Sequence, residues 1–185
     1  MKAIAGEYIN LRLLCESDAE ITLSWRNSDR ASLLNKGAQF IEQQVQWILT
    51  RPQSELNYII ETKDKKPIGM VSLIAIDKTN RRAESARFLI GDRAAAKGIP
   101  AAVEAMKLLY ELAFYELKLL RVHGLVVQSN QQMLIWQKYL GMKQEGILRN
   151  HFVFNGVVQD AICVGILAEE FEEVALPKMK LLIKM

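Results

Sequence analysis

The turn Ala94-Ala95-Ala96-Lys97-Gly98-Ile99-Pro100 is the first place in this chain where residue types and spacing suggest chemistry. Small residues let backbone N–H groups come close to a phosphate. The apolar helical pattern that follows sets a helix N-terminus, with its partial positive charge, beside them. Taken alone, Lys97-Gly98 before a helix is also an ordinary turn. Trp25-Arg26-Asn27 is the second such place. A stacking aromatic, a guanidinium whose fork matches a phosphate, and an amide could together hold a polar ligand. A core tryptophan at a solvated helix end is the plain alternative. Ser129-Asn130 heads another helical pattern, which either residue can cap. His123 lies inside an apolar strand pattern and reads as structural or hydrogen-bonded, while His151 precedes a turn and could reach an acceptor pocket.

These side chains need elements to position them, and hydrophobic periodicity supplies the elements. Ile9–Leu13 alternates as a half-buried strand does, and Ser17 or Asp18 can cap a helix through Ala19, Ile21, Leu23 and Trp25. Phe40–Ile48 reads as a second helix, ended before Pro52. Leu56–Thr62 and Pro67–Ile76 read as strands joined by a charged turn, and Ala83–Gly91 as a third strand of that meander. Past Gly98 the period becomes helical, with Val103, Met106, Leu109, Tyr110, Ala113 and Phe114 on one face. Arg121–Val127 is strand, Gln131–Leu140 helix, and Met142–Val153 with Val157–Leu167 a hairpin about Asn155-Gly156. The order β-α-α-β-β-β-α-β-α-β-β is a mixed α/β fold, with a largely antiparallel sheet and four helices.

Length and composition set the outer limits. The 185 residues suit one domain spanning 1–185, and half are hydrophobic, enough for a sizeable core. A net charge of +3, with basic residues scattered, indicates no nucleic-acid stripe. Cys15 and Cys163 lie far apart, lack metal-type spacing and read as free, buried thiols of a reducing compartment. No signal-peptide pattern and no apolar run of about 18–20 residues is present, so a cytoplasmic protein without a membrane span is expected.

The ordered set Leu11-Arg12, Trp25-Arg26-Asn27, Pro67-Ile68-Gly69, Lys97-Gly98, Ala113-Phe114, Arg121, Asn130, and Glu145-Gly146-Ile147-Leu148-Arg149 through Asn155-Gly156 to Asp160 resembles the GCN5-related N-acetyltransferase (GNAT) superfamily. The likeness runs from Ile9 to about Phe171. It implies a splayed sheet, acetyl-CoA as co-substrate and no metal. Within the superfamily the set is similar to the branch of ribosomal-protein Nα-acetyltransferases and nucleotide-sugar N-acetyltransferases. It is most similar to the pseudaminic-acid pathway enzyme that acetylates a UDP-linked amino-deoxysugar.

The resemblance also implies roles for single residues. Ala95, Ala96, Lys97, Gly98, Ile99, Pro100 and Ala101 would cradle the coenzyme's diphosphate. Backbone of Phe88, Leu89 and Ile90 would pair with its pantetheine arm, and Asn130 would contact that arm. Glu84 would be a general base; the alternative is a strand-end glutamate paired with Arg81 or Arg82. Trp25, Arg26, Asn27 and His151 would bind the acceptor. Ala95, Pro100 and Gln137 stand where the family pattern has Gln or Arg, Gly or Ala, and a tyrosine acid. The implied reaction is acetyl transfer from acetyl-CoA to a primary amine of a small acceptor, a nucleotide-linked amino sugar, in a monomer or homodimer. Nα-acetylation of a ribosomal or other protein, and acetyl-CoA sensing without catalysis, are the rival readings.

Overall fold

The computed structural model describes residues 3–34, 37–154 and 156–185. Its organising element is an eight-stranded sheet in spatial order β1-β2-β3-β4-β5-β6-β8-β7. The strands are β1 Ile4–Ala5, β2 Ile9–Leu13, β3 Leu56–Thr62, β4 Pro67–Asp77, β5 Arg82–Ile90, β6 Arg121–Val127, β7 Lys143–Phe154 and β8 Val157–Leu167. All neighbours are antiparallel except β5 and β6. That one parallel pair needs a crossover, and α3 (Ala101–Glu111) provides it. The other helices are α1 Ala19–Arg26, α2 Ile41–Thr50, α4 Gln131–Tyr139, and a C-terminal run of α5 Ala168–Glu170, a π-helical turn Phe171–Ala175, and α6 Leu176–Lys184.

The strands β3, β6 and β8 fall where the alternation of apolar residues places them. The order of elements departs from expectation at both ends. A two-residue β1 pairs with β2, and the C-terminal helical run adds to the four expected helices. Phe171, Ala175, Met179 and Ile183 lie four residues apart on the buried side of that run. Pro177 sits within the first two positions of α6, where a missing N–H is tolerated. Phe154 pairs with Val157 across the β7–β8 hairpin, and Gly156 has φ +80, while Asn155 lies outside the described residues.

Two clusters form the core. The larger packs α3 and the C-terminal run on one side of the sheet around Tyr110, Phe114 and Phe171, whose rings sit 5.2–6.2 Å apart. The smaller packs α1 and α2 against β3 to β5, through Leu14, Trp25, Ile48, Ile59, Met70 and Leu89. Arg12 on β2 holds α1 in place: Nη1 and Nη2 each donate to Asp18 at 2.7 Å, and Nε donates to Glu61 at 2.9 Å. Glu104, buried on α3, accepts N–H groups from Glu7, Tyr8 and Ile9 and ties the N-terminal segment to that helix. Both cysteines are free, but Cys15 is exposed and Cys163 half-buried, because Cys15 precedes α1 at the surface. No helix among the described residues is long and apolar enough to cross a membrane.

Candidate active site

The site begins where β5 and β6 part. Their register holds at three positions only, Arg82 with Arg121, Ala83 with Val122 and Glu84 with His123. Beyond these, β5 stays with β4 and β6 stays with β8, so the sheet opens into a wedge. A bulge helps to drive β5 away: Met70 pairs with Leu89 but Ser72 with Ala86, so β5 carries one extra residue there, and Arg87 takes φ +55. From Ser85 onward the edge of β5 that faces β6 has no registered strand partner.

A cavity of about 580 Å³ fills the wedge, lined from both arms of the sheet, from α1, α2 and α4, and from Met106 of α3. Glu84, Phe88, Asn130, Arg26 and His151 all border it, so the fold brings together five of the residues singled out in the sequence. Glu84 is neither paired with Arg81, whose Nε donates to the Lys118 carbonyl, nor with Arg82, whose partner is Asp77. Burial pushes the Glu84 carboxyl above the ordinary range, and the charge of Arg87 only partly offsets it. Asn130 borders the cavity and caps α4, its Oδ1 accepting from the Met133 N–H at 3.1 Å.

Other side chains fall elsewhere. Trp25 does not border the cavity. Its ring is a member of the smaller core cluster and lies where a side chain at Gly91 would be, 2.3 Å from a Cβ built there. Asn27 is exposed and donates to the Ala38 carbonyl. Leu89 and Ile90 pack in the two core clusters through their side chains. His123 is half-buried with Nδ1 unpartnered, and burial lowers its pKa, as do the charges of Arg121 and Arg82. Tyr139 is exposed beneath the Lys178 ammonium at 3.6 Å, away from the wedge.

The 94–101 segment lies outside the cavity, between the end of β5 and the start of α3. Several of its amides are already engaged within the loop. Ala95 donates to Asp92 Oδ1 at 2.9 Å, Ala96 to the Asp92 carbonyl, Lys97 to Ala94, and Ile99 to Ala96. The first bond of the helical ladder runs from Glu104 to Pro100, which leaves the N–H groups of Ala101, Ala102 and Val103 at the open helix end. Pro100 occupies the N-cap and has no N–H to waste there. Gly98, at φ +81, has open space where a side chain would stand. An anion at this end would meet Gly98 and the first turn of α3 rather than the whole loop.

Three cavity-lining residues had no role assigned from sequence. Trp47 and Gln44 share a face of α2 at i, i+3 spacing, and that spacing was a usable signal. Gln44 is buried and donates to Thr22 Oγ1 at 2.9 Å, joining α2 to α1. Arg87 gave no signal, because its place depends on the bulge. Its guanidinium donates to Glu55 at 2.8 and 3.2 Å and to Asn57 at 3.0 Å, and lies 5.2 Å from the centre of the Trp47 ring. Arg26 enters from the end of α1. Burial, and then the charge of Arg87, hold its pKa below the ordinary guanidinium value. Among the described residues no cluster of His, Cys, Asp and Glu could hold a metal.

A sheet split beside its single parallel pair, with a helix N-terminus at one end and a cavity at the other, is the architecture of an acyltransferase fold, and residues 9–143 match the model of the acetyltransferase (GNAT) domain family. The chain belongs to that family. It is 30% identical over 119 residues to spermidine N(1)-acetyltransferase of Escherichia coli K12, a match covering 64% of this chain and 62% of that protein. It is 26% identical over 182 residues to "Probable N-acetyltransferase YjcK" of Bacillus subtilis, covering 92% and 99%. A solved structure of spermidine N-acetyltransferase from Vibrio cholerae, in complex with CoA and spermine, superposes with a TM-score of 0.80 at 22% identity, covering 91% of this chain and all of that one.

Proposed function

We propose that this protein is an acetyl-CoA-dependent N-acetyltransferase that modifies a primary amine of a small acceptor, by direct attack of the amine on the thioester. The observation that carries this reading is the wedge between β5 and β6, with an unpaired strand edge on one side and Glu84 inside it. Acetyl-CoA supplies an acyl carbon that is already activated, so the protein needs to bind, orient and accept a proton rather than build a nucleophile. The N–H groups of Gly98 and Ala101 to Val103 hold the diphosphate. The free edge of β5 at Phe88–Ile90 receives the amide-bearing arm as an added strand would be received. Glu84 accepts the proton that the amine loses, a task for which a carboxyl raised by burial is suited.

The acceptor we favour is a nucleotide-linked amino sugar. Two guanidinium groups, Arg26 and Arg87, and the Trp47 ring line the cavity beside one carboxylate, Glu84. A sugar nucleotide brings a diphosphate for the guanidiniums, of which Arg87 also holds Glu55, and a base for the aromatic face. An enclosed cavity with an aromatic wall disfavours a ribosomal N-terminus, which calls for an open, acidic groove. The test is release of free thiol from acetyl-CoA across a panel of UDP-linked 4-amino-deoxysugar, spermidine and an N-terminal peptide. The sugar nucleotide is expected to be turned over fastest. Preference for spermidine would overturn the acceptor, and binding of acetyl-CoA without transfer to any amine would favour a sensor.

A further inference from the structure

The bulge in β5 delivers one guanidinium to the cavity wall, and part of its fork is already engaged. Nη1 and Nη2 of Arg87 donate to the two carboxylate oxygens of Glu55, at 2.8 and 3.2 Å. Nη1 also donates to Asn57 Oδ1 at 3.0 Å. Asn57 is 1% exposed and is itself fixed. Its Oδ1 accepts from the buried Ser72 hydroxyl at 2.6 Å, and its Nδ2 donates to Glu55 at 3.2 Å. A guanidinium has five N–H groups, and these contacts use both on Nη1 and one on Nη2. The two left, on Nε and Nη2, are parallel and share one edge, the arrangement that matches two oxygens of a phosphate. Nε has no partner among the described residues and is not buried, and the side chain as a whole is 22% exposed. A long side chain held in this way has little rotamer freedom left to lose on binding.

We infer that Glu55 and Asn57 are positioning residues, which hold the open Nε–Nη2 edge of Arg87 as a bidentate subsite for one phosphate group of the acceptor. The inference rests on the reading of the wedge above and names the residues that would select the acceptor there. Arg87 and Glu84 both line the cavity from β5, three positions apart. A phosphate on the one and an amine beside the other can therefore belong to one small molecule. Glu55 offsets the charge of Arg87, so the subsite offers two directed donors rather than a diffuse positive field. That distinction has a sign. Removing the Glu55 carboxylate makes the wall more positive, which would tighten an anion held by charge alone. It also frees the fork, which loosens an anion held by two aligned bonds.

The experiment is calorimetric titration of UDP, and of uridine as its phosphate-free counterpart, into the protein saturated with coenzyme A. Saturation keeps the open end of α3 occupied, so UDP cannot report on that end. Wild type is expected to bind UDP about tenfold or more tightly than uridine. Arg87→Lys keeps the charge but has no paired edge, and should lose about tenfold for UDP and nothing for uridine. Glu55→Gln and Glu55→Ala should weaken UDP by about threefold and tenfold, with coenzyme A affinity within about twofold of wild type as the check on folding. UDP binding that is unchanged or tighter in Glu55→Ala overturns the positioning role. Wild-type affinity no greater for UDP than for uridine overturns the subsite. Neither readout needs turnover. A protein that acetylates spermidine or a peptide yet binds no UDP loses this subsite and keeps the acetyltransferase reading. Arg87-dependent binding of UDP without transfer to any amine upholds the subsite and removes that reading.

Discussion

Glu84 sits in the cavity with its carboxyl held above the usual range by burial, and this fixes the sign of a pH effect. As the proposed base, Glu84 works only when deprotonated. Because the value is raised, the working form disappears at a higher pH than an ordinary glutamate would lose it. The logarithm of kcat/KM should therefore gain a further unit of slope, beyond the one set by protonation of the acceptor amine, as pH drops through that raised value. Glu84→Gln should remove that added slope and reduce the rate by about 100-fold or more, measured in steady-state profiles with acetyl-CoA saturating. Identical profiles for the two proteins would assign the proton to another acceptor. Gly98 makes a separate prediction. Its φ of +81 suits glycine, and a β-branched residue there would be strained by about 1–2 kcal/mol and would cover the open end of α3. Gly98→Val should fold, as judged by circular dichroism, yet bind acetyl-CoA at least tenfold more weakly by calorimetry.

At the scale of elements, α1 is placed by two contacts, one spanning 66 residues and one spanning six. One is the Gly91–Trp25 contact: any side chain at position 91 would overlap the indole, so Gly91→Ala should lower stability by about 1–3 kcal/mol in urea titration. The other is the Arg12 fork on Asp18. Burial works against the Asp18 charge, but hydrogen bonds from Arg12 and from the Cys15 backbone outweigh it and leave the carboxyl below its ordinary value. A depressed carboxylate stabilises the fold above the unfolded pKa, near 3.9, and that contribution is lost as pH falls through the folded value. Asp18→Asn should thus cost about 3 kcal/mol at pH 7, and the gap from wild type should narrow below about pH 4. The limits of Leu56–Thr62, Arg121–Val127 and Val157–Leu167 were legible in the sequence, because each is an apolar run bounded by turn residues. The bulge at Arg87 was not legible, since a one-residue slip depends on which strand lies alongside. A core role for Trp25 was legible as the plain alternative to ligand binding, but the glycine that admits its ring, 66 residues away, was not. The C-terminal helical run carried an i, i+4 stripe of its own, but Pro177 and the acidic stretch before it interrupt the pattern that would have marked it.

Across the molecule, that C-terminal run packs with α3 in the larger core cluster, while α1 and α2 pack in the smaller one. Met179 and Phe171 are fully buried against α3, so Met179→Ala should cost about 2–5 kcal/mol without changing the order of acceptor preference. Phe171 and Met179 lie outside the cavity, although Val71, Met106 and Val126 of the same core line it. In the proposed reaction acetyl-CoA runs from the first turn of α3 along the free edge of β5 into the wedge. Titrating acetyl-CoA into the isotopically labelled protein and following backbone amide resonances tests this directly. The largest shifts are predicted at Gly98, Ala101 to Val103 and Phe88 to Ile90, with smaller ones at Asn130 and Gln137. Saturable binding whose shifts fall instead on the β7–β8 hairpin or the C-terminal helical run, with those amides unmoved, would contradict it.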